Sequence, residues 1–65
     1  MRYTIWRTDS DGNAFQITTA GATSIKERAF EKARVFNERL QTSEPATVDR
    51  YVVRDEEGKE LKLPA

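Results

Sequence analysis

Cysteine and histidine are both missing from this 65-residue chain, and the two absences remove much of the usual chemistry of small proteins. Without cysteine there is neither a disulfide framework nor a thiolate metal site to supplement a small core, and nothing argues for secretion. Without histidine the commonest catalytic base and metal ligand is gone. Long apolar runs are lacking too, since none approaches the roughly 20 residues a membrane span needs. Met1 to Thr8 mixes charged, polar and apolar side chains where a signal peptide needs a continuous apolar segment. These absences predict a soluble, cytoplasmic protein with no metal, no disulfide, no cofactor and no membrane contact. Excess charge is the last thing missing: 11 basic and 11 acidic residues cancel, so the whole-domain basic surplus of many nucleic-acid binders is not there.

What is present suits one small folded domain spanning 1–65. The hydrophobic fraction of 37% and charged fraction of 34% are those of a globular protein. A chain this short buries only roughly 60% of its unfolded surface, so stability is expected to be modest.

The stretch from Ser24 to about Gln41 predicts the only helix, because Ile25, Ala29, Ala33, Phe36 and Leu40 recur at spacings of four, four, three and four and make one apolar stripe. Ser24 followed by Glu27 predicts a capping box at its start. Glu44-Pro45 prevents the helix from resuming. Ahead of it, Arg2 to Thr8 alternates as a strand, with Tyr3 and Ile5 on one face and Arg2, Thr4 and Trp6 on the other. Asp9 to Asn13 is a turn centred on Asp11-Gly12. Ala14 to Thr19 is a second strand with Phe15 and Ile17 inward, and Ala20 to Thr23 a small-residue connection. Behind the helix, Thr47 to Arg54 is a third strand, Asp55 to Gly58 a turn, and Lys59 to Leu63 a short fourth strand with Leu61 and Leu63 inward.

The predicted fold is therefore α+β, in the order β-β-α-β-β, with one helix on one face of a four-stranded, mainly antiparallel sheet. Central strands are apolar and edge strands short and lysine-bearing. That favours the spatial order 2-1-3-4, with 2-1-4-3 as the alternative. The core pairs Tyr3, Ile5, Phe15, Ile17 and the leucines with Ile25, Ala29, Ala33, Phe36 and Leu40.

Catalysis finds little to use here. The carboxylates fall in turns or on the outer ridge of the helix (Glu27, Glu31, Glu38), and Thr18, Thr19 and Ser24 have no histidine to activate them. The expectation is a non-enzymatic interaction or accessory module, and two surfaces are candidates. One is the sheet face opposite the helix, where Arg2, Thr4, Trp6, Gln16, Arg50 and Arg54 are expected to face a protein partner or a second copy of the chain in a homodimer. Trp6 leads that group, because a large aromatic is a common binding anchor; the plainer role for it is to shield Val52 and Arg54 as a cross-strand pair. The other surface is a helix shoulder of Arg28, Lys32, Val35 and Arg39, with Phe30 on the opposite shoulder. Five basic residues against three acidic make Ser24 to Gln41 the positive part of the chain. The plainer role for these cations is to flank the core and pair with Glu31, as Arg28–Glu31 and Glu31–Arg34. The alternative function is nucleic-acid binding, with Trp6 or Tyr51 as a stacking platform and Arg2, Arg7, Arg50 and Arg54 on phosphates. An arrangement of two hairpins and a helix is shared by many unrelated domains and carries no functional inference by itself.

Overall fold

Alternation from Tyr3 builds the central strand, β1 (Tyr3–Thr8), which sends Tyr3, Ile5 and Arg7 to one face and Thr4, Trp6 and Thr8 to the other. The computed structural model describes residues 1–62. Around β1 stand β2 (Ala14–Gln16), β3 (Ala22–Thr23), α1 (Lys26–Ser43), β4 (Arg50–Arg54) and β5 (Glu60–Leu61). The sheet runs β2-β1-β4-β5, with β3 paired to β1 as well, and all its pairings are antiparallel. The α+β class and the favoured neighbour order of the two hairpins are those expected. The detail that differs is a fifth strand, β3.

That strand arises because the second predicted strand stops early. After Gln16 the amide of Ile17 still donates to the Ile5 carbonyl (2.9 Å), but Thr18–Ala20 then coils into a 3-10 turn. The excursion lets Ile17 and Ala20 pack against the core. Gly21 turns the chain back, so Ala22 and Thr23 pair with Thr4 and Tyr3. One edge of β1 is thus covered by two short strands in tandem. Phe15, expected in the core, is 61% exposed: it pairs with Arg7 near the hairpin end, outside the area the helix covers.

Both hairpins close with the same turn. Gly12 donates to the Asp9 carbonyl (3.3 Å) and Asp9 to the Asn13 carbonyl (3.1 Å); Gly58 donates to the Asp55 carbonyl (3.0 Å) and Asp55 to the Lys59 carbonyl (3.1 Å). In each, the leading aspartate Oδ1 accepts from the amides two and four residues on. Gly12 and Gly58 sit at φ 84° and 80°, the left-handed position that follows a type I turn in a bulged hairpin. Asp11 does not share that positive φ. The first turn is therefore a bulged loop rather than a two-residue Asp-Gly turn.

The helix begins two residues later than predicted and without the capping box. Ile25 takes the N-cap position in extended conformation with no side-chain cap. Thr23 Oγ1 instead accepts the Ile25 amide (3.1 Å), so the threonine of β3 orients the approach that Ser24 was expected to fix. Of the predicted stripe, Ala29 and Ala33 are fully buried and Leu40 nearly so. Phe36 is half-buried and stacks on Tyr51, ring centroids 5.1 Å apart. Ile25 is 43% exposed because it precedes the first turn. The alanines bring the backbone of α1 close to Ile5 and Val53, which with them form the buried cluster.

β4 is shorter than the predicted third strand, and Val48, outside it, is exposed. Tyr51 and Val53 face the helix while Val52 lies opposite Trp6 on the other face. The apolar residues on both faces of this strand are thereby accounted for. Beside β5, Asn37 takes over the outer edge of β4: its Oδ1 accepts from the Tyr51 amide (2.8 Å) and its Nδ2 donates to the Tyr51 carbonyl (3.0 Å). β5 ends at Leu61, which packs against the core; the predicted inward Leu63 lies outside the described residues.

Candidate functional site

A single helix covers one face of this sheet, and the other face is built by the remaining half of each strand's alternation. Thr4, Trp6 and Thr8 of β1 lie beside Arg54, Val52 and Arg50 of β4. Gln16 stands across from Trp6 on β2, and Ala22 across from Thr4 on β3. Five of the six expected residues of this face, Thr4, Trp6, Gln16, Arg50 and Arg54, therefore lie within one same-face step of Trp6 in register. Of these Arg50, across from Thr8, is exposed, with Nη1 donating to the Asp49 carbonyl (2.9 Å). Arg2 precedes β1, exposed, and its amide donates to Glu56 Oε1 (2.6 Å).

Trp6 is half-buried rather than fully exposed. Its indole Nε1 donates to Thr4 Oγ1 (2.8 Å), which is the one donor an indole must satisfy. The guanidinium carbon of Arg54 lies 4.6 Å from the ring centroid, within range for a cation–π contact. The expected cross-strand shielding of Trp6 is thus present, and it leaves Arg54 in an unusual state. Its Nε is buried and has no hydrogen-bond partner. Glu60, opposite it on β5, closes no ion pair with it.

Next to the indole is a shallow depression of about 380 Å³ lined by Arg2, Thr4, Trp6, Gln16, Ala22, Asp55, Glu56 and Gly58. Half of that lining was not expected from the sequence. Ala22 enters because β3 pairs with β1, and Asp55, Glu56 and Gly58 because the second turn folds against the chain ahead of β1. The signal for the turn was the repeated Asp-x-x-Gly at 9–12 and 55–58; no comparable sequence signal marked β3.

The helix shoulder is less available than its spacing suggests. Lys32 Nζ donates to the Ala20 carbonyl (2.9 Å), tying the helix to the 3-10 turn. Val35 is half-buried, while Arg28 and Arg39 are exposed. Arg28 makes no ion pair with Glu31; Arg34 takes that carboxylate and bridges it to Glu38 (2.7 Å). These carboxylates hold the Arg34 guanidinium above its usual pKa, Glu31 contributing most. Phe30, on the other shoulder, packs against the core under the Lys26 ammonium.

A second polar cluster joins β1 to the loop after the helix. Arg7 Nη2 lies 2.8 Å from Asp49 Oδ2 and 3.6 Å from Glu44 Oε2, with its guanidinium above the Tyr51 ring. The bond to Asp49 raises the Arg7 pKa. Nearby, a cleft of about 170 Å³ is lined by Asn37, Leu40, Glu44, Pro45, Asp49 and Arg50, among others. Its carboxylates Glu44 and Asp49 are already engaged by Arg7, and Arg50 Nη1 donates to the Asp49 carbonyl.

Among the described residues, no three acidic side chains stand close enough to hold a metal ion. No helix there is long and apolar enough to cross a membrane. No family model, curated protein or solved structure matches this chain.

Proposed function

We propose that this protein is a non-catalytic binding module that uses the sheet face opposite α1 to hold a protein partner. The observation that carries the reading is the Trp6–Arg54 pair beside the 380 Å³ depression. An indole held by its own hydrogen bond presents rigid apolar area at low entropic cost, and Trp and Arg are the residues most enriched at binding hot spots. The surrounding Thr4, Gln16 and Arg2 provide the polar rim that such anchors need.

Display of a random dodecapeptide library on phage tests this. Selection on the wild-type protein is expected to enrich peptides whose binding is lost with Trp6→Ala. The same peptides are expected to shift Trp6 emission to the blue. Enrichment that survives Trp6→Ala, or no enrichment at all, overturns the reading.

A further inference from the structure

We infer that Arg54 is the recognition group for a carboxylate, and that the partner of the open face is an acidic protein segment which lays an apolar side chain beside Trp6 and an Asp or Glu against the guanidinium. This rests on the reading of the open face just given and names the partner's chemistry.

Three observations carry it. The first is the state of Arg54 compared with the other enclosed arginine. Arg7, also half-buried, is bound by Asp49 and Glu44. Arg54 has no ion pair or side-chain hydrogen bond among the described residues, and its Nε is buried without an acceptor. Its two terminal amino groups also make no hydrogen bond among the described residues and are not buried with Nε, so an incoming carboxylate can accept from them.

The second observation is restraint. Contact with the Trp6 ring, 4.6 Å from the guanidinium carbon to the centroid, restrains the Arg54 side chain before any ligand arrives. A pre-organised group loses less side-chain entropy when it binds.

The third is charge. Glu60 is the carboxylate opposite Arg54 in register and forms no ion pair with it, while Asp55 and Glu56 line the depression beside Trp6. A peptide needs only one carboxylate at Arg54 and can place uncharged residues over those two. A nucleic-acid strand repeats its negative charge at every nucleotide and has to run some of it past Asp55 and Glu56. The arrangement therefore favours the peptide.

The test uses the dodecapeptides selected on the wild-type protein, together with the oligonucleotide (dT)12 as a polyanion probe. Selected peptides are expected to carry Asp or Glu. Replacing that residue by Asn or Gln in the peptide, a change that leaves the protein untouched, is expected to weaken binding about tenfold or more. Arg54→Gln is expected to weaken the acidic peptide by a similar factor and the amide peptide little, with Arg54→Lys in between. Trp6-dependent peptides that lack a carboxylate, or that ignore both substitutions, overturn the inference while leaving the open face as the binding surface. So does (dT)12 displacing the peptide with a steep salt dependence, since that marks the face as a phosphate reader. A doubled solution mass that collapses with Trp6→Ala overturns it in favour of a second copy of the chain.

Discussion

Asn37 does with one side chain what the sheet would otherwise need a longer strand to do. Its amide bonds both backbone groups of Tyr51 on the outer edge of β4, and unpaired strand edges are where other chains add. Asn37→Ala is expected to destabilise the protein by about 1 to 3 kcal/mol in urea unfolding, with Asn37→Asp intermediate because it keeps the acceptor and loses the donor. Asp9 is a second residue with a measurable signature. Its carboxylate accepts from the Asn13 amide first of all, and from Asp11, which holds its pKa below the ordinary 3.8. Because the folded value is the lower one, the stabilisation is complete above pH 3.8 and is lost as pH falls through the folded value. Carboxyl-detected NMR titration is expected to give Asp9 a midpoint below that of a carboxylate in the unfolded chain.

At the scale of elements, the helix was legible in its middle and misread at its start. The spacing of Ala29, Ala33, Phe36 and Leu40 depends only on helical period, and all four face the sheet. The capping box depended on where the chain arrives from, and β3 changes that direction by bringing Thr23 alongside Tyr3. Ser24→Ala is accordingly expected to alter stability by less than about 0.5 kcal/mol, the range of surface changes that touch no cap, where loss of a working cap costs about 1 kcal/mol. Thermal unfolding distinguishes the two. A two-residue strand such as Ala22–Thr23 has no periodicity to read; it exists because the Tyr3 and Thr4 backbone offers it partners. Phe15 was misjudged for a related reason. Alternation assigned its face correctly, but how far α1 extends over that face is a property of packing.

At the scale of the molecule, a net charge of zero hides an uneven surface. Glu27, Glu31 and Glu38 project from the back of α1, partly offset by Arg34. The opposite side carries Trp6 under an arginine with no carboxylate of its own. Composition gave the total, and alternation gave the strand residues of the open face but not Ala22, Asp55, Glu56 and Gly58 around its depression. Neither could tell that Arg54 would be left without an acceptor while Arg7 found two carboxylates, because that outcome is decided by the loop Glu44–Asp49 swinging back to β1.

The twin loops at 9–13 and 55–59 have a consequence for engineering. Each is closed by its own aspartate and glycine, and beyond the two strands it joins, the second loop adds an exposed bond from the Arg2 amide to Glu56 Oε1. Since β1 and β4 run in opposite senses, the loops emerge at opposite poles. A chain in which the two pentapeptides trade places is expected to melt close to the parent temperature. Either pole then becomes a site where foreign sequence can be grafted between the retained closing residues, with the buried centre left undisturbed.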